Sequence, residues 1–259
     1  MLKKTNFLVI VLCLGMGANS FAQNESDSLG LAGDNLDLYG VLELFKKSEN
    51  PEAFEKALNS EDNGVNNLDL NGDGEIDYIR VTDQSEGDAH ALVLQVPFSE
   101  TEAQDVAVIE IEKSNAEIAQ VQIIGDEDLY GKDYIVEPSD DAPSNRATTS
   151  SKTVVVVNVW AWPSIKYMYG PKYVVWRSPW KWKHYPAWWK PWKPVAWHIH
   201  HKRAWHYHTY YRPVYVYRIP NAHKVYHAHR VVSVSYKRRA AHPVKKVVKN
   251  KKPAPKKKK

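Results

Sequence analysis

The chain has 259 residues, a formal net charge of +5 at pH 7 and one cysteine, Cys13. One cysteine excludes a disulfide framework. The sequence contains no GxSxG, HExxH or phosphate-binding glycine loop, so no catalytic residue is assigned and a non-enzymatic protein is predicted. The net charge hides a division: residues 23–141 hold all 30 acidic residues with six basic ones, and residues 142–259 hold 27 basic residues and no acidic one. That asymmetry predicts either an anionic partner for the second half or docking of the two halves on each other.

Residues 1–22 have the order of a secretory signal peptide. Lys3 and Lys4 precede an apolar run over residues 7–14, and small residues lead to Ala22, after which cleavage is expected. The apolar run is much shorter than the roughly 20 residues of a membrane span; an uncleaved anchor is the alternative. Because Cys13 lies within this run, the exported chain would contain no thiol. The predicted location is secreted, periplasmic or associated with the outer membrane.

Residues 33–138 are predicted to form a small acidic α+β domain that begins with two helices. Asp34 is expected to cap the first helix, whose apolar residues share one face at helical spacing: Leu38, Val41, Leu42 and Phe45. Asn50 as cap and Pro51 at the first helical position predict the start of the second helix. Its inner stripe is expected to be Phe54, Ala57 and Leu58.

Four or five strands are predicted to follow the helices as an antiparallel meander. The segments rich in β-branched residues are Tyr78–Thr82, Ala91–Phe98, Val106–Glu112 and Glu117–Ile124. Their short connections suit antiparallel pairing, since parallel pairing needs longer crossovers. Alternation such as Ile109 and Ile111 against Glu110 predicts one face against the helices and one partly wet face. His90 is expected at a solvated strand position.

The nine residues from Asp69 to Asp77 form the sharpest motif. Ca²⁺ binds six to eight oxygens, which a loop supplies from alternate positions. The predicted ligands are the side chains of Asp69, Asn71, Asp73 and Asp77 and the backbone carbonyl of Glu75. The motif resembles the calcium loops of EF-hand and dockerin modules and of integrin-type propeller repeats. This resemblance implies a bound Ca²⁺ that fixes the junction between the helices and the first strand.

The motif departs from those families in three ways. Arg80 stands at position 12, where an EF-hand has a bidentate glutamate; the following segment is a predicted strand, and the loop occurs once. A paired EF-hand, a duplicated dockerin and a propeller are therefore not expected. The alternative is a metal-free turn, because Asn-Gly and Asp-Gly dipeptides also build hairpins.

Residues 139–152 are predicted to be a Pro/Ser-rich linker, followed by a Trp/Tyr/His-rich basic segment over residues 153–236. Residues 153–162 are expected to form a strand. Beyond them, tryptophan alternates with proline and lysine, as in Trp180-Lys181-Trp182 and Trp188-Trp189-Lys190-Pro191-Trp192. The prolines exclude a long helix and a central strand. These blocks resemble those of uncharacterised secreted bacterial proteins in which a small N-terminal domain precedes them.

Two roles for the tryptophans remain open from sequence. Indole rings beside lysines suit an anionic membrane surface, and they also stack on sugars or on nucleic-acid bases. Alternatively, the rings are core residues. The final residues, 237–259, are lysine-rich and are expected to be a disordered polycation.

Histidine pairs in the basic segment suggest a second kind of site. His198/His200, His206/His208 and His227/His229 would each place two imidazoles on one side of an extended strand. Such pairs can chelate Zn²⁺, Cu²⁺ or Ni²⁺, although a pocket normally needs three or four convergent ligands.

The leading hypothesis is a non-enzymatic secreted or envelope protein. A calcium-stabilised acidic domain would carry a cationic aromatic segment that binds an anionic membrane, glycan or polymer, with nucleic acid a less favoured polyanion. The alternatives are transition-metal sequestration by the histidine pairs and neutralisation of one half of the chain by the other.

Overall fold

The structure is a computed structural model that describes residues 28–139 and 156–241. Within these residues it has seven α-helices and one six-stranded sheet, which confirms the predicted α+β class. The helices are α1 (Leu38–Lys47), α2 (Pro51–Leu58), α3 (Glu127–Tyr130), α4 (Pro163–Met168), α5 (Trp197–Ala204), α6 (Pro220–His227) and α7 (Val234–Ala241). The strands are β1 (Arg80–Glu86), β2 (Ala89–Pro97), β3 (Ala103–Asn115), β4 (Ile118–Gly125), β5 (Ile135–Pro138) and β6 (Tyr211–Val214). No helix in this part of the chain has the length and apolar character needed to cross a membrane.

The sheet is a sequential antiparallel meander, β1 to β6. The first four strands correspond to the predicted ones, and β5 lies at the end of the predicted acidic domain. The sixth strand comes from the basic segment and pairs along β5 from Ile135 to Pro138. The two halves of the chain therefore share one sheet.

One face of the sheet packs on α1, α2 and α4. Phe45 and Phe54 are fully buried and meet edge to face, with ring centroids 5.3 Å apart. The second helix is capped as predicted, since Asn50 Oδ1 accepts a hydrogen bond from the Ala53 N–H. The predicted cap of α1 is wrong: Asp37 caps this helix by accepting from the Gly40 N–H, and Asp34 lies in the 3-10 turn Ala32–Asn35.

The other face of the sheet is not wet, which corrects the prediction made from strand alternation. Glu110, Gln122 and Glu137 are all buried on this face. Glu110 lies opposite Gln122 in the sheet, and Gln122 Nε2 donates to Glu137 Oε2 at 3.0 Å. Helix α6 and the residues around it cover this polar row and an apolar cluster that includes Tyr226. The alternation was real, but the partners of the polar residues lie about 100 positions further along the chain.

Several predicted boundaries in the second half differ from the structure. Residues 156–162, the described part of the strand predicted over 153–162, form coil and a turn that leads into α4. Prolines at 163 and 220 begin helices, in which a missing N–H is tolerated at the first position. Helix α7 extends to Ala241, inside the predicted disordered tail. The predicted signal peptide, most of the linker and residues 242–259 lie outside the described residues.

Candidate functional site

The basic segment is fastened to the acidic half by buried carboxylates. Arg230 donates from Nε to Asp126 Oδ2 at 2.7 Å and from Nη2 to Asp128 Oδ2 at 2.8 Å. Glu137 receives two guanidinium groups, those of Arg212 and Arg218, at 2.8 and 2.9 Å. The Asp126 and Glu137 side chains are almost completely buried, so these ion pairs are far less screened than pairs at the surface.

A second set of anchors uses hydroxyl and imidazole groups. The Tyr211 hydroxyl donates to Glu43 at 2.6 Å, and His223 Nδ1 lies 2.7 Å from Glu110 Oε1. Glu102 accepts hydrogen bonds from the Ser235 N–H, the Ser235 hydroxyl and the Ser233 hydroxyl, and these lower the pKa of Glu102 to about 2. These contacts tie further acidic residues of the first half to the second half.

Residues 178–193, which we call the Trp–Lys loop, are held at both ends. At the start, the Ser178 N–H donates to the Val81 carbonyl at 3.0 Å, and the Ser178 hydroxyl donates to Glu55 at 2.7 Å. At the end, the Trp192 carbonyl accepts from the Ile76 N–H at 2.8 Å. The loop is therefore a fixed excursion beside β1 and the Asp69–Asp77 motif.

The tryptophans of this loop are neither a closed core nor fully exposed. Trp189 packs edge-on to Tyr78 with ring centroids 5.1 Å apart and stays partly accessible, while Trp188 is 46% exposed. Over the whole segment, Trp162 is the buried one of the ten, and Trp188 and Trp205 are the exposed ones. Core packing therefore accounts for Trp162, whereas Trp188 and Trp205 lie at the surface.

The lysines of the Trp–Lys loop differ from the arginines that fasten the segment. Lys181, Lys183, Lys190 and Lys193 are exposed, and within the described residues none of them forms an ion pair. Lys183 Nζ lies 4.2 Å from the centroid of the Trp182 ring, a cation–π contact. Arginines 212, 218 and 230 thus serve internal pairing, whereas these four lysines stay at the surface.

The predicted calcium loop is a series of tight turns closed by its own acidic side chains. Asp69 accepts hydrogen bonds from the Gly72 and Gly74 N–H groups at 2.7 and 3.0 Å. Asn71 accepts from the Asp73 N–H and Asp73 from the Glu75 N–H, at 2.8 and 2.9 Å. Gly72 and Gly74 have φ of +75° and +85°, which L side chains rarely adopt.

Asp77 is the buried end of this loop. Its carboxylate accepts from the Leu70 N–H at 2.5 Å and from Asn71 Nδ2 at 2.7 Å. Burial raises the pKa of Asp77 to about 7, and the charges of Asp69 and Asp73 act in the same direction. Mutual repulsion of these carboxylates is what a cation would relieve, so the donor chemistry fits Ca²⁺. In the conformation described, however, residues 28–139 and 156–241 contain no group of three or more His, Cys, Asp or Glu placed to hold a metal ion.

The histidine pairs do not lie on extended strands, which corrects that prediction. His198 and His200 are in α5, His206 and His208 are in the 3-10 helix Trp205–Tyr210, and His227 ends α6. His200 is 2% exposed, and burial lowers its pKa to about 4. His208 Nε2 bonds instead to Asp37 Oδ2 at 2.6 Å.

Two further buried carboxylates, Glu55 and Asp83, were not predicted from the sequence. Glu55 accepts from the Tyr78 hydroxyl, the Ser178 hydroxyl and the Val81 N–H. Asp83 Oδ2 accepts from the Tyr173 hydroxyl at 2.6 Å and lies 2.8 Å from Nδ1 of His90. His90 is 5% exposed, so its predicted solvated position is wrong. The sequence did contain a signal for Asp83. It stands two positions after the buried Val81 in β1, and alternate residues of a strand share one face, so both lie on the inner face.

Comparison of the chain with protein-family models, with curated proteins and with solved structures found no match. The residues described above are therefore the basis for any functional conclusion.

Proposed function

We propose that this chain is a non-enzymatic protein of the cell envelope or the secreted fraction. In this proposal it binds anionic membrane, glycan or polymer through the Trp–Lys loop. The main observation behind this proposal is that the two kinds of basic residue are used differently. Arginines 212, 218 and 230 form ion pairs with buried acids, while the four loop lysines form no ion pair with a described residue.

The geometry of the loop supports a binding surface. Because both ends are fixed by hydrogen bonds to β1 and to Ile76, the lysines are presented without the full ordering cost of a free tail. Half-exposed indole rings between them prefer the boundary between water and apolar groups. A lysine near an anionic membrane surface contributes about 1 kcal/mol, so four together contribute about 4 kcal/mol.

Ca²⁺ is proposed as a structural ion in the Asp69–Asp77 loop. Asp69, Asn71, Asp73 and Asp77 would supply side-chain oxygens, and Glu75 its backbone carbonyl. Since Ile76 in the same loop donates to the Trp192 carbonyl, an ion here would stabilise the end of the Trp–Lys loop.

The main test is binding to vesicles containing an anionic lipid and to soluble polyphosphate. The variant replaces lysines 181, 183, 190 and 193 with glutamine, and the control replaces lysines 166, 172, 202 and 224. Both remove four charges, and all eight side chains are exposed. We expect the loop variant to lose about 1,000-fold of the affinity, the equivalent of about 4 kcal/mol, and the control little. Equal losses in the two variants, or binding that does not weaken as salt rises to 0.5 M, would contradict the proposal.

Calcium binding is tested separately by calorimetry of the full chain. A Kd of about 10⁻⁴ to 10⁻³ M is expected near pH 8, weakening below pH 7 as Asp77 takes up a proton. Asp77→Asn should abolish binding, whereas Glu75→Gln should not, because Glu75 offers its backbone. Equal heats from both variants would exclude this ligand set.

A further inference from the structure

A second candidate site is a cleft of about 490 Å³ between the start of α1, α5 and the segment that contains β6. This volume falls in the range of small-molecule pockets. Five large aromatic side chains line one part of it, those of Tyr39, Tyr134, Trp197, Trp205 and Tyr215. No residue of the Trp–Lys loop lines it, and its described walls contain neither lysine nor arginine.

The rings of the cleft contact one another in a series, in which the Trp197–His201 and Tyr39–His208 pairs are stacked and the pairs between them are tilted. Trp197 and His201 lie one helical turn apart in α5, with ring centroids separated by 4.9 Å. Trp205 lies 4.9 Å from His208, which in turn stacks on Tyr39 at 3.9 Å. These contacts between rings hold the side chains in place, yet Trp205 remains 55% exposed. A large, rigid and half-open aromatic surface beside a cleft is suited to a ligand that contacts ring faces.

The charged side chains that line the cleft indicate the sign of the charge on that ligand. Asp34 and Asp37 both line it, with no lysine or arginine beside them among the described lining residues. Such a site repels anions, in contrast to the Trp–Lys loop, and attracts a cation.

The hydrogen bonds of these carboxylates indicate which kind of cation the cleft suits. Asp34 accepts from the Ser28 hydroxyl and from the Leu29 and Gly30 N–H groups. Asp37 accepts from the Gly40 N–H and bonds His208. Every carboxylate oxygen already has a protein partner, so the pair offers negative charge more readily than new hydrogen bonds. A fully substituted ammonium needs charge and ring faces and has no N–H to satisfy.

We propose that this cleft binds a quaternary ammonium group. The group would lie against the faces of Trp205 and its neighbours, with Asp34 and Asp37 supplying the compensating charge. Contacts to several rings place the expected Kd for a small ligand at about 1 mM. The same chemistry occurs in free choline and in a phosphocholine lipid headgroup.

The test is calorimetric titration of the full chain with choline and with 3,3-dimethylbutan-1-ol, its uncharged analogue of the same shape. We expect choline to bind at least tenfold more tightly than the analogue. Trp205→Ala should weaken choline binding at least tenfold, and so should Tyr215→Ala, whose side chain is 85% exposed and therefore unlinked to folding. Trp188→Ala is the matched control, because this exposed tryptophan does not line the cleft.

Equal affinity for choline and its analogue would overturn the proposal. So would the absence of choline binding up to about 20 mM, or an equal loss in the Trp188 and Trp205 variants. Glucose bound in place of choline would instead assign the rings to sugar stacking. Once choline binding is established, phosphatidylcholine vesicles distinguish the two sources. If the vesicles capture the protein and free choline competes with that capture, the ligand is the lipid headgroup. If the vesicles do not capture the protein, the ligand is a free solute.

Discussion

Arg230 offers the sharpest test of how the two halves are joined. Its guanidinium bonds Asp126 at 2.7 Å and Asp128 at 2.8 Å, and the Asp126 side chain has no exposure to solvent. Removing one partner of a buried ion pair costs about 3 to 5 kcal/mol, since the other charge is left uncompensated. Arg230 itself keeps 18% exposure, and Asp126 also accepts from the Asp128 N–H, so we expect the lower end, about 3 kcal/mol.

The assay is urea unfolding of Arg230→Ala and of the control Arg177→Ala. Arg177 is exposed and forms no ion pair with a described residue, so its removal should change stability by less than about 0.5 kcal/mol.

The pH dependence provides a second readout of the same contact. Burial already raises the pKa of Asp126, and losing Arg230 would raise it further. An acid whose folded pKa exceeds its unfolded value of about 3.9 destabilises the folded state as pH rises through that window. The loss in free energy of unfolding caused by Arg230→Ala should therefore be largest near pH 7 and become smaller towards pH 4. A deficit below about 0.5 kcal/mol at pH 7, or one that grows with acid, would refute the reasoning.

Three further predictions concern Glu55, His200 and Gly40. Glu55→Gln should cost about 1 to 3 kcal/mol in urea unfolding, because an amide cannot accept all three hydrogen bonds now made by the carboxylate; a neutral result would mean that Ser178 is not held there. His200→Leu should resist acid better than the parent: a base whose pKa falls to about 4 on folding loses stability as pH drops from about 6.5, by about 2 kcal/mol at pH 5. Parallel stability curves of variant and parent would contradict this. Gly40→Ala should cost about 1 to 3 kcal/mol through overpacking, since its methyl group would lie 2.7 Å from Val65 and 2.8 Å from a Tyr207 ring carbon. Glu52→Ala, on the exposed side of α2, is the control and should be nearly neutral.

Local patterns predicted the first half of the fold well. The helix stripe of Phe54 and Leu58, the Asn50 cap and the β-branched strands depend on neighbours within a few residues, and the structure contains all of them. The error at Asp34 has a simple cause, because two aspartates stand close together and only the second is followed directly by helical backbone.

The contacts across the halves were beyond local reasoning. Glu110 has the polar alternation of a wet strand, and it is buried because His223 comes to it from 113 positions away. His198/His200 and His206/His208 suggested ligand pairs by spacing, but His200 is buried and His208 bonds to Asp37. The charge asymmetry was the sequence signal for such contacts, although it could not say which acid meets which base.

The pairing of β6 with β5 has a consequence for biosynthesis. The ribosome delivers Pro138 about 70 residues before Tyr211, which at roughly 5 to 20 residues per second is an interval of several seconds. During that interval β5 is an unpaired edge strand, and the face of the sheet that α6 later covers is exposed. The polar row of Glu110, Gln122 and Glu137 lies on that face, where hydrated charge discourages the nascent sheet from pairing with a neighbouring chain. Glu110 and Glu137, which later bind His223 and two arginines, would thus act earlier as gatekeepers against aggregation.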